Sequence, residues 1–307
     1  MSESKHYNDY GTWIRSMFPF RVQKISINAG FSCPNRDGRI GQGGCIYCDN
    51  RTFNPSYCNS TSSIKAQLEE GKKFFSHKYP DMKFLAYFQA YTNTYESIDK
   101  LKRMYEEALS VEDVIGIVIG TRPDCVSDEL LDYLGHLNTQ TFITIEYGIE
   151  TANNNTLKLI NRGHDFECVK RIVSKTAEKG IITGGHIILG LPGEDSEEII
   201  RQAPLISALP INILKLHQLQ VIHGTKLEQM YKEHPFHLFS PDEYIELIGR
   251  YIKLLRKDIV IERFTSQSPK DMLVGPQWGM KNHEFTDKLM KYLRENNIYQ
   301  GQNVILP

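Results

Sequence analysis

Apolar and polar side chains alternate over residues 21–28 (RVQKISIN), and a period of two predicts a strand with one buried face. From 62 to about 78 the apolar positions Ile64, Leu68, Phe74 and Phe75 return loosely at helical spacing, and 84–88 is a compact apolar run, so the first unit reads strand, helix, strand. The unit then recurs. Ser97 stands as a helix cap before a stripe of Ile98, Leu101, Met104, Tyr105, Ala108 and Leu109, and 114–119 follows as a buried strand. A helix over 127–137 opens on Ser127 and leads to a strand at 142–147. A helix over 165–179 stops at Gly180 before a strand at 181–188, and a helix over 195–208 leads to a strand at 213–219.

Six strands alternating with five helices predict a parallel α/β sheet with right-handed crossovers, because each helix must carry the chain back before the next strand runs the same way. Six units are too few for an eight-fold barrel, which leaves a partial (β/α)6 barrel or an open doubly wound sheet. Polar residues gather where the strands end: Gln89, Tyr91 and Asn93; Arg122 and Asp124; Glu146 and Glu150; Lys215, His217 and Gln218. Ligands of parallel α/β folds bind at that carboxyl edge.

Beyond about 221 the pattern changes. Ser240-Pro241-Asp242-Glu243 combines an N-cap, a first-turn proline and a capping-box glutamate, opening a helix expected to run to about 257. A short strand at 259–264, Pro and Gly turns over 269–279 and a basic helix around 284–296 follow. The expected division is an N-terminal extension over 1–20, the partial barrel over 21–221, and a small C-terminal α/β extension over 222–307 that packs on the barrel and closes its open side.

Composition changes this picture little. The chain has 307 residues, a formal net charge of −1 and 40% hydrophobic residues, ordinary values for a globular protein with a real core. Near-neutral charge gives no global attraction to nucleic acid or membrane, so any such partner must be met by a local patch. The polar start over 1–10 is no signal peptide and no run of 18 apolar residues occurs, so no membrane association is expected.

The six cysteines are unevenly spread: four lie between 33 and 58, while Cys125 and Cys168 stand alone and read as ordinary packed or surface residues. That distribution fits a metal centre in a reducing cytoplasm better than a disulfide framework. Cys33, Cys45 and Cys48 share one loop rich in Gly, Asn and Asp at the end of the first strand. Three thiolates suit three corners of a [4Fe–4S] cubane, leaving the fourth iron open for a ligand. Structural zinc with Cys58 as fourth ligand, in a non-catalytic protein, is the alternative.

The cysteine loop, with Tyr47 directly before the last cysteine, and the strand–helix alternation resemble the radical S-adenosylmethionine (SAM) superfamily. Its usual spacing is Cys-x3-Cys-x2-Cys. The wider first interval here is similar to the branch that contains the catalytic subunit of Elongator. Asn161-Arg162-Gly163-His164 and the stretch GHIILGLPG over 185–193 also resemble that branch. The segments over 21–24, 29–38, 87–95 and 215–217 look like a bacterial subfamily of stand-alone members. Gln89 departs from the family pattern, standing where many members carry a glycine-rich, glutamate-containing motif. No acetyltransferase domain follows in this sequence, which implies a reaction other than that of Elongator.

The resemblance implies that Cys33, Cys45 and Cys48 hold the cluster, and that SAM, chelated at the open iron, is cleaved to a 5′-deoxyadenosyl radical by an electron from a reductant such as flavodoxin or ferredoxin. It implies cofactor contacts for Tyr47 at the adenine, Glu146 at the ribose, and Gln89, Arg162, Ile188 and Leu189 around them. A packed aromatic at Tyr47, a solvated charge at Glu146 and a ligand-free helix start at Arg162 and His164 stay open. So does the direction of His186, Lys215 and His217, which depends on strand register. The branch also implies transfer RNA as substrate, with modification of the carbon-5 side chain of the wobble uridine (U34), carboxymethylaminomethyl to aminomethyl being the specific expectation. A small-molecule or protein substrate is the alternative. Six Lys or Arg against three acids over 158–179, and four against two over 281–294, are compatible with RNA. Tyr91, Tyr95 and Tyr147 are candidates to stack a flipped base.

Overall fold

A computed structural model describes residues 6–52, 54–76 and 81–304. Its strands are β1 (Val22–Ile27), β2 (Lys83–Phe88), β3 (Val114–Thr121), β4 (Phe142–Glu150), β5 (Ile182–Leu189), β6 (Ile213–Gln218), β7 (Val221–Ile222), β8 (Val260–Arg263) and β9 (Leu273–Gly275). The helices are α1 (Tyr10–Met17), α2 (Ile64–Ser76), α3 (Ile98–Leu109), α4 (Asp128–Leu137), α5 (Asn154–Leu159), α6 (Phe166–Glu178), α7 (Ser196–Ser207), α8 (Lys226–Glu233), α9 (Pro241–Ile252) and α10 (Asn282–Glu295). The expected helix over 62–78 appears as α2, and the part of that expectation beyond residue 76 lies outside the described residues.

Seven parallel strands form one sheet in the order β1-β2-β3-β4-β5-β6-β8, while β7 and β9 pair separately and antiparallel. A doubly wound sheet reverses its strand order about a switch point. This order never reverses, so the partial barrel is the architecture. The expectation of six strands is corrected to seven: β8, read as part of an extension, pairs in parallel with β6 and continues the sheet. Curling is evident from the edges. Lys24 on β1 reaches Glu262 on β8 at 2.7 Å although five strands separate them in the sheet. The N-terminal segment lies along the outer edge of β8, with Asp9 bridged to Ile261 and the Ile261 amide donating to the Asn8 carbonyl at 2.8 Å. An exposed strand edge is thereby covered.

Strand alternation decides what faces each way. Ile25, Ile27, Phe84, Ala86, Phe88, Ile143 and Ile145 lie in the main core under the helices. Helix α3 docks there through Leu101, Tyr105 and Ala108, each at most 2% exposed, and truncating a leucine so buried costs about 2–5 kcal/mol. The opposite face lines the barrel. Its base is apolar, formed by Leu85, Tyr87 and Val118 with Val22 and Phe142 against them. Phe142 is met by Trp13 of α1 and by Phe18, which stopper the barrel from below.

The caps are as expected at Ser127, whose hydroxyl accepts from the Leu130 amide, and at Ser240, which forms a full capping box with Glu243. Ser97 occupies the N-cap position of α3, but its side chain makes no capping bond. Helix α9 stops at Ile252 rather than near 257, because the chain tightens there into turns closed by the Leu254 and Leu255 amides.

Candidate active site

The loop after β1 folds on itself. The Arg36 amide donates to the Cys33 carbonyl at 2.8 Å, the Ile40 amide to Pro34 at 2.8 Å and the Gly44 amide to Asn35 at 2.8 Å. The long interval between Cys33 and Cys45 is thus a compact side loop. Gly43 and Gly44, both left-handed at φ +78° and +82°, turn the chain back so that Cys45 returns beside Cys33. A Cβ at Gly44 would press on Arg36 Nε at 2.9 Å. From outside, the Ile46 amide donates to Ile160, the Leu227 amide to Ile46, and Asn161 Nδ2 to Gly44, so α5 and α8 clasp the loop.

Cys33, Cys45 and Cys48 line one cavity of ≈ 220 Å³ at the carboxyl edge of the sheet, together with Tyr47, Gln89, Glu146, Arg162 and Ile188. Leu189 does not line it: alternation on β5 turns that side chain into the core under the helices. Cys58 is buried elsewhere, so the four-thiolate zinc site does not assemble. Among the described residues no group of three or more His, Cys, Asp or Glu side chains is gathered closely enough to hold a single metal ion.

The donors around the thiols suit an anionic metal–sulfur group. Asn35 Nδ2 and Arg162 Nη1 each lie 3.6 Å from Cys45 Sγ, and Asn50 Nδ2 lies 3.7 Å from Cys48 Sγ. Arg36 Nη2 donates to the Cys48 carbonyl at 2.6 Å. Arg162 Nε and Arg122 Nη1, the latter from a further residue lining the cavity, are buried without a partner. Burial, and then the adjacent Cys45, pushes the Cys48 thiol up to about 11. A cationic centre reverses that, since a metal-bound thiol is deprotonated outright. The three thiols therefore fit a cluster, and their neighbours are the hydrogen-bond donors that tune one.

Below the thiols lies a layer of buried charge. Glu146 Oε1 accepts from Lys24 at 2.9 Å, and its Oε2 meets Lys215 Nζ at 2.6 Å and His186 Nε2 at 3.0 Å. Glu262 bridges the same lysines at 2.7 and 3.1 Å. Burial alone would raise the Glu146 pKa, but Lys215 and Lys24 hold it well below the usual carboxylate range. Burial pulls Lys215 down to about 8 against the attraction of the two glutamates, while Lys24 is held above its ordinary value. A buried salt-bridge network is weak evidence for stability, and its use here is to fix the direction of the side chains it holds.

Register now settles the open side chains. His186 and His217 line the cavity, and Lys215 points to the charged layer beneath it. His164 faces away, beside Asp124, with Nε2 buried and unpartnered. Tyr147 is corrected as a stacking residue: it lies on the helix side of β4, fully buried, its hydroxyl 2.7 Å from Thr176 Oγ1. Tyr91 is 39% exposed at the cavity rim, on a backbone held at a left-handed φ of +63°. Arg36 packs over the Tyr91 ring and Arg39 over Tyr95.

Sequence reasoning missed Asn35, Asn50, Lys24, Glu262 and Arg263. Lys24 was legible: on a strand whose Ile25 and Ile27 are buried under helices, it must face the barrel interior. Glu262 and Arg263 were hidden because the four residues of β8 carry no readable alternation.

Comparison with known proteins agrees with this geometry. The family model of the radical SAM superfamily matches residues 33–202, and that of the radical SAM C-terminal domain matches 211–295. YtqA of Bacillus subtilis is 34% identical over 97% of this chain and 92% of its own length. A tRNA uridine(34) acetyltransferase of Methanocaldococcus infernus is 24% identical over 65% of this chain, which spans only 38% of that protein. The solved structure of the Methanocaldococcus infernus Elp3 with an N-terminal deletion (1–46) superposes with a TM-score of 0.67 at 18% identity, covering 92% of this chain and 64% of that one, and so shares its fold. With a half-barrel, a three-cysteine loop at its carboxyl edge and a family match over more than half its length, the chain belongs to the radical SAM superfamily, enzymes that use a [4Fe–4S] cluster and SAM.

Proposed function

We propose that this enzyme modifies the carbon-5 side chain of the wobble uridine (U34) of transfer RNA, converting carboxymethylaminomethyl to aminomethyl, with Cys33, Cys45 and Cys48 as the cluster ligands. The observation that carries the RNA reading is the similarity of 65% of the chain to a tRNA uridine(34) acetyltransferase. The exposed Tyr91 at the cavity rim with Arg36 over its ring supports it, because an arginine and an aromatic face at a cavity mouth receive an unstacked base.

When bound, the cluster and SAM supply a radical able to abstract a substrate hydrogen. The chain supplies the rest. Arg162, Asn35 and Asn50 donate to the thiolates and hold them in place. Tyr47, Gln89, Glu146 and Ile188 form the wall toward which SAM would be oriented. Phe142 with Trp13 and Phe18 seals the base of the barrel against water, which protects a reactive species from side reactions. A low-potential reductant such as flavodoxin or ferredoxin provides the electron.

Nucleosides of transfer RNA from a deletion strain test this reading. An accumulated carboxylate-bearing uridine precursor is the expected result. An unchanged profile would remove transfer RNA and direct attention to a small-molecule or protein substrate.

A further inference from the structure

Arg263 ends β8 beside Lys215, its register partner on β6. It lines the cavity, its Nε is buried without a partner, and among the described residues it makes no ion pair or hydrogen bond. The other basic side chains of the cavity and the layer beneath it are engaged. Lys24 and Lys215 share Glu146 and Glu262, Arg122 holds Asp124, Arg162 meets Glu150, and Arg36 is on the Cys48 carbonyl.

The neighbours of Arg263 do not neutralise it. His217 and His186 beside it are uncharged near neutral pH, because burial lowers both and takes His217 to about 3. The charged layer then holds Lys24, Lys215 and Arg263 against Glu146 and Glu262, so one positive charge is left over in that layer, on Arg263. Uncharged Gln220, Ser266 and Ser268 complete this side of the cavity. Arg263 is half-buried with its Nε shielded from water, and a cation so placed with no counter-ion is a natural partner for an anion that a ligand brings.

We propose that Arg263 receives a carboxylate borne by the substrate, pairing with it through two parallel N–H···O bonds. The charge count calls for a monoanion, and the guanidinium fork matches a planar carboxylate. A nucleic-acid backbone brings a series of phosphates and needs a series of free cations. Among the described lining residues only Arg263 is free, so the anion it takes is a single group carried into the cavity. The assignment rests on reading this cavity as the one that receives substrate.

The test is a thermal titration of the reconstituted enzyme, saturated with SAM so that added anions cannot compete at the cluster. Acetate and dimethyl phosphate are the probes, at constant ionic strength against chloride. Acetate should raise the melting temperature saturably; Arg263→Gln should need about tenfold more acetate for the same rise, with Arg263→Lys between. Dimethyl phosphate should act no better than chloride. A wild-type response to acetate equal to that of chloride, an acetate response unchanged in both variants, or a stronger response to dimethyl phosphate would overturn the assignment. Should Arg263→Gln fail to fold, the wild-type series and Arg263→Lys still decide. Because the probes are small anions, the result is independent of the nucleoside profile: an unchanged profile with Arg263-dependent acetate binding removes the RNA and keeps the carboxylate site, and a changed profile without acetate binding does the reverse.

Discussion

Arg162 Nη1 lies 3.6 Å from Cys45 Sγ while Nη2 of the same guanidinium donates to the Gly148 carbonyl at 2.6 Å. One side chain therefore ties the cysteine loop to the end of β4, and puts a positive charge against a sulfur. A cation and an N–H donor at a cluster sulfur ease its reduction. Arg162→Gln should still take up iron, but its reduction potential should fall by on the order of tens of millivolts. Potentiometric titration followed by electron paramagnetic resonance checks this. An unshifted potential would mean that Arg162 is only a structural tie.

Gly148 is where that tie is most easily cut. A Cβ there would stand 2.5 Å from both Arg162 Nη2 and Glu150 Oε1, so Gly148→Ala should push the guanidinium off Cys45 while leaving its charge in the protein. The potential should move in the same direction as in Arg162→Gln. In the double variant the two shifts should not add, since both remove one interaction.

Glu146 is the hub of the buried charge. Glu146→Gln leaves Lys24 and Lys215 facing each other with one carboxylate fewer, and breaking a buried pair in this way costs about 3–5 kcal/mol. The pH dependence has a definite sign. Lys215 titrates near 8 in the folded chain against 10.5 for an ordinary lysine, so between those values the unfolded chain holds a proton that the folded one has shed, and the contribution of Lys215 to stability rises with pH. The Glu146→Gln deficit should accordingly be largest below pH about 8 and shrink above it as Lys215 loses its charge. Urea denaturation across that range reads this out.

Tyr147→Phe separates the two faces of β4. The hydroxyl is bonded to Thr176 on the helix side, so the variant should lose about 1 kcal/mol of stability and keep its iron content and its SAM cleavage unchanged. A loss of SAM cleavage in a variant that folds and holds its iron would restore Tyr147 to the cavity side.

The alternation of strands and helices was legible because the central strands are buried on both faces, β1 mainly on one, and each helix on one, and periodicity reports burial. The strand at 259–264 was legible as well, but its place in the sheet was not, because Val260–Arg263 is too short for its faces to be read and its partner β6 is separated from it by more than forty residues. That Cys33, Cys45 and Cys48 form one group was legible from type and spacing, and all three line one cavity. The donors Asn35 and Asn50 were not, since an asparagine in a loop reads equally well as a turn former. Glu146 lines the cavity at the strand end, but the two lysines that hold it come from β1 and β6, a meeting that only the curl of the sheet creates. Tyr147 was misread as a stacking residue because it is one residue out of phase with Glu146, which does face the barrel, and a one-residue shift moves a strand residue to the opposite face.

The assignment of Cys33, Cys45 and Cys48 as the cluster ligands is tested most directly by SAM cleavage. Wild-type protein, Cys45→Ala and Cys58→Ser would each be reconstituted anaerobically with iron and sulfide, reduced, and assayed for 5′-deoxyadenosine. The account predicts formation by wild type and Cys58→Ser and none by Cys45→Ala. Formation by Cys45→Ala, or its loss in a folded Cys58→Ser variant, would contradict it.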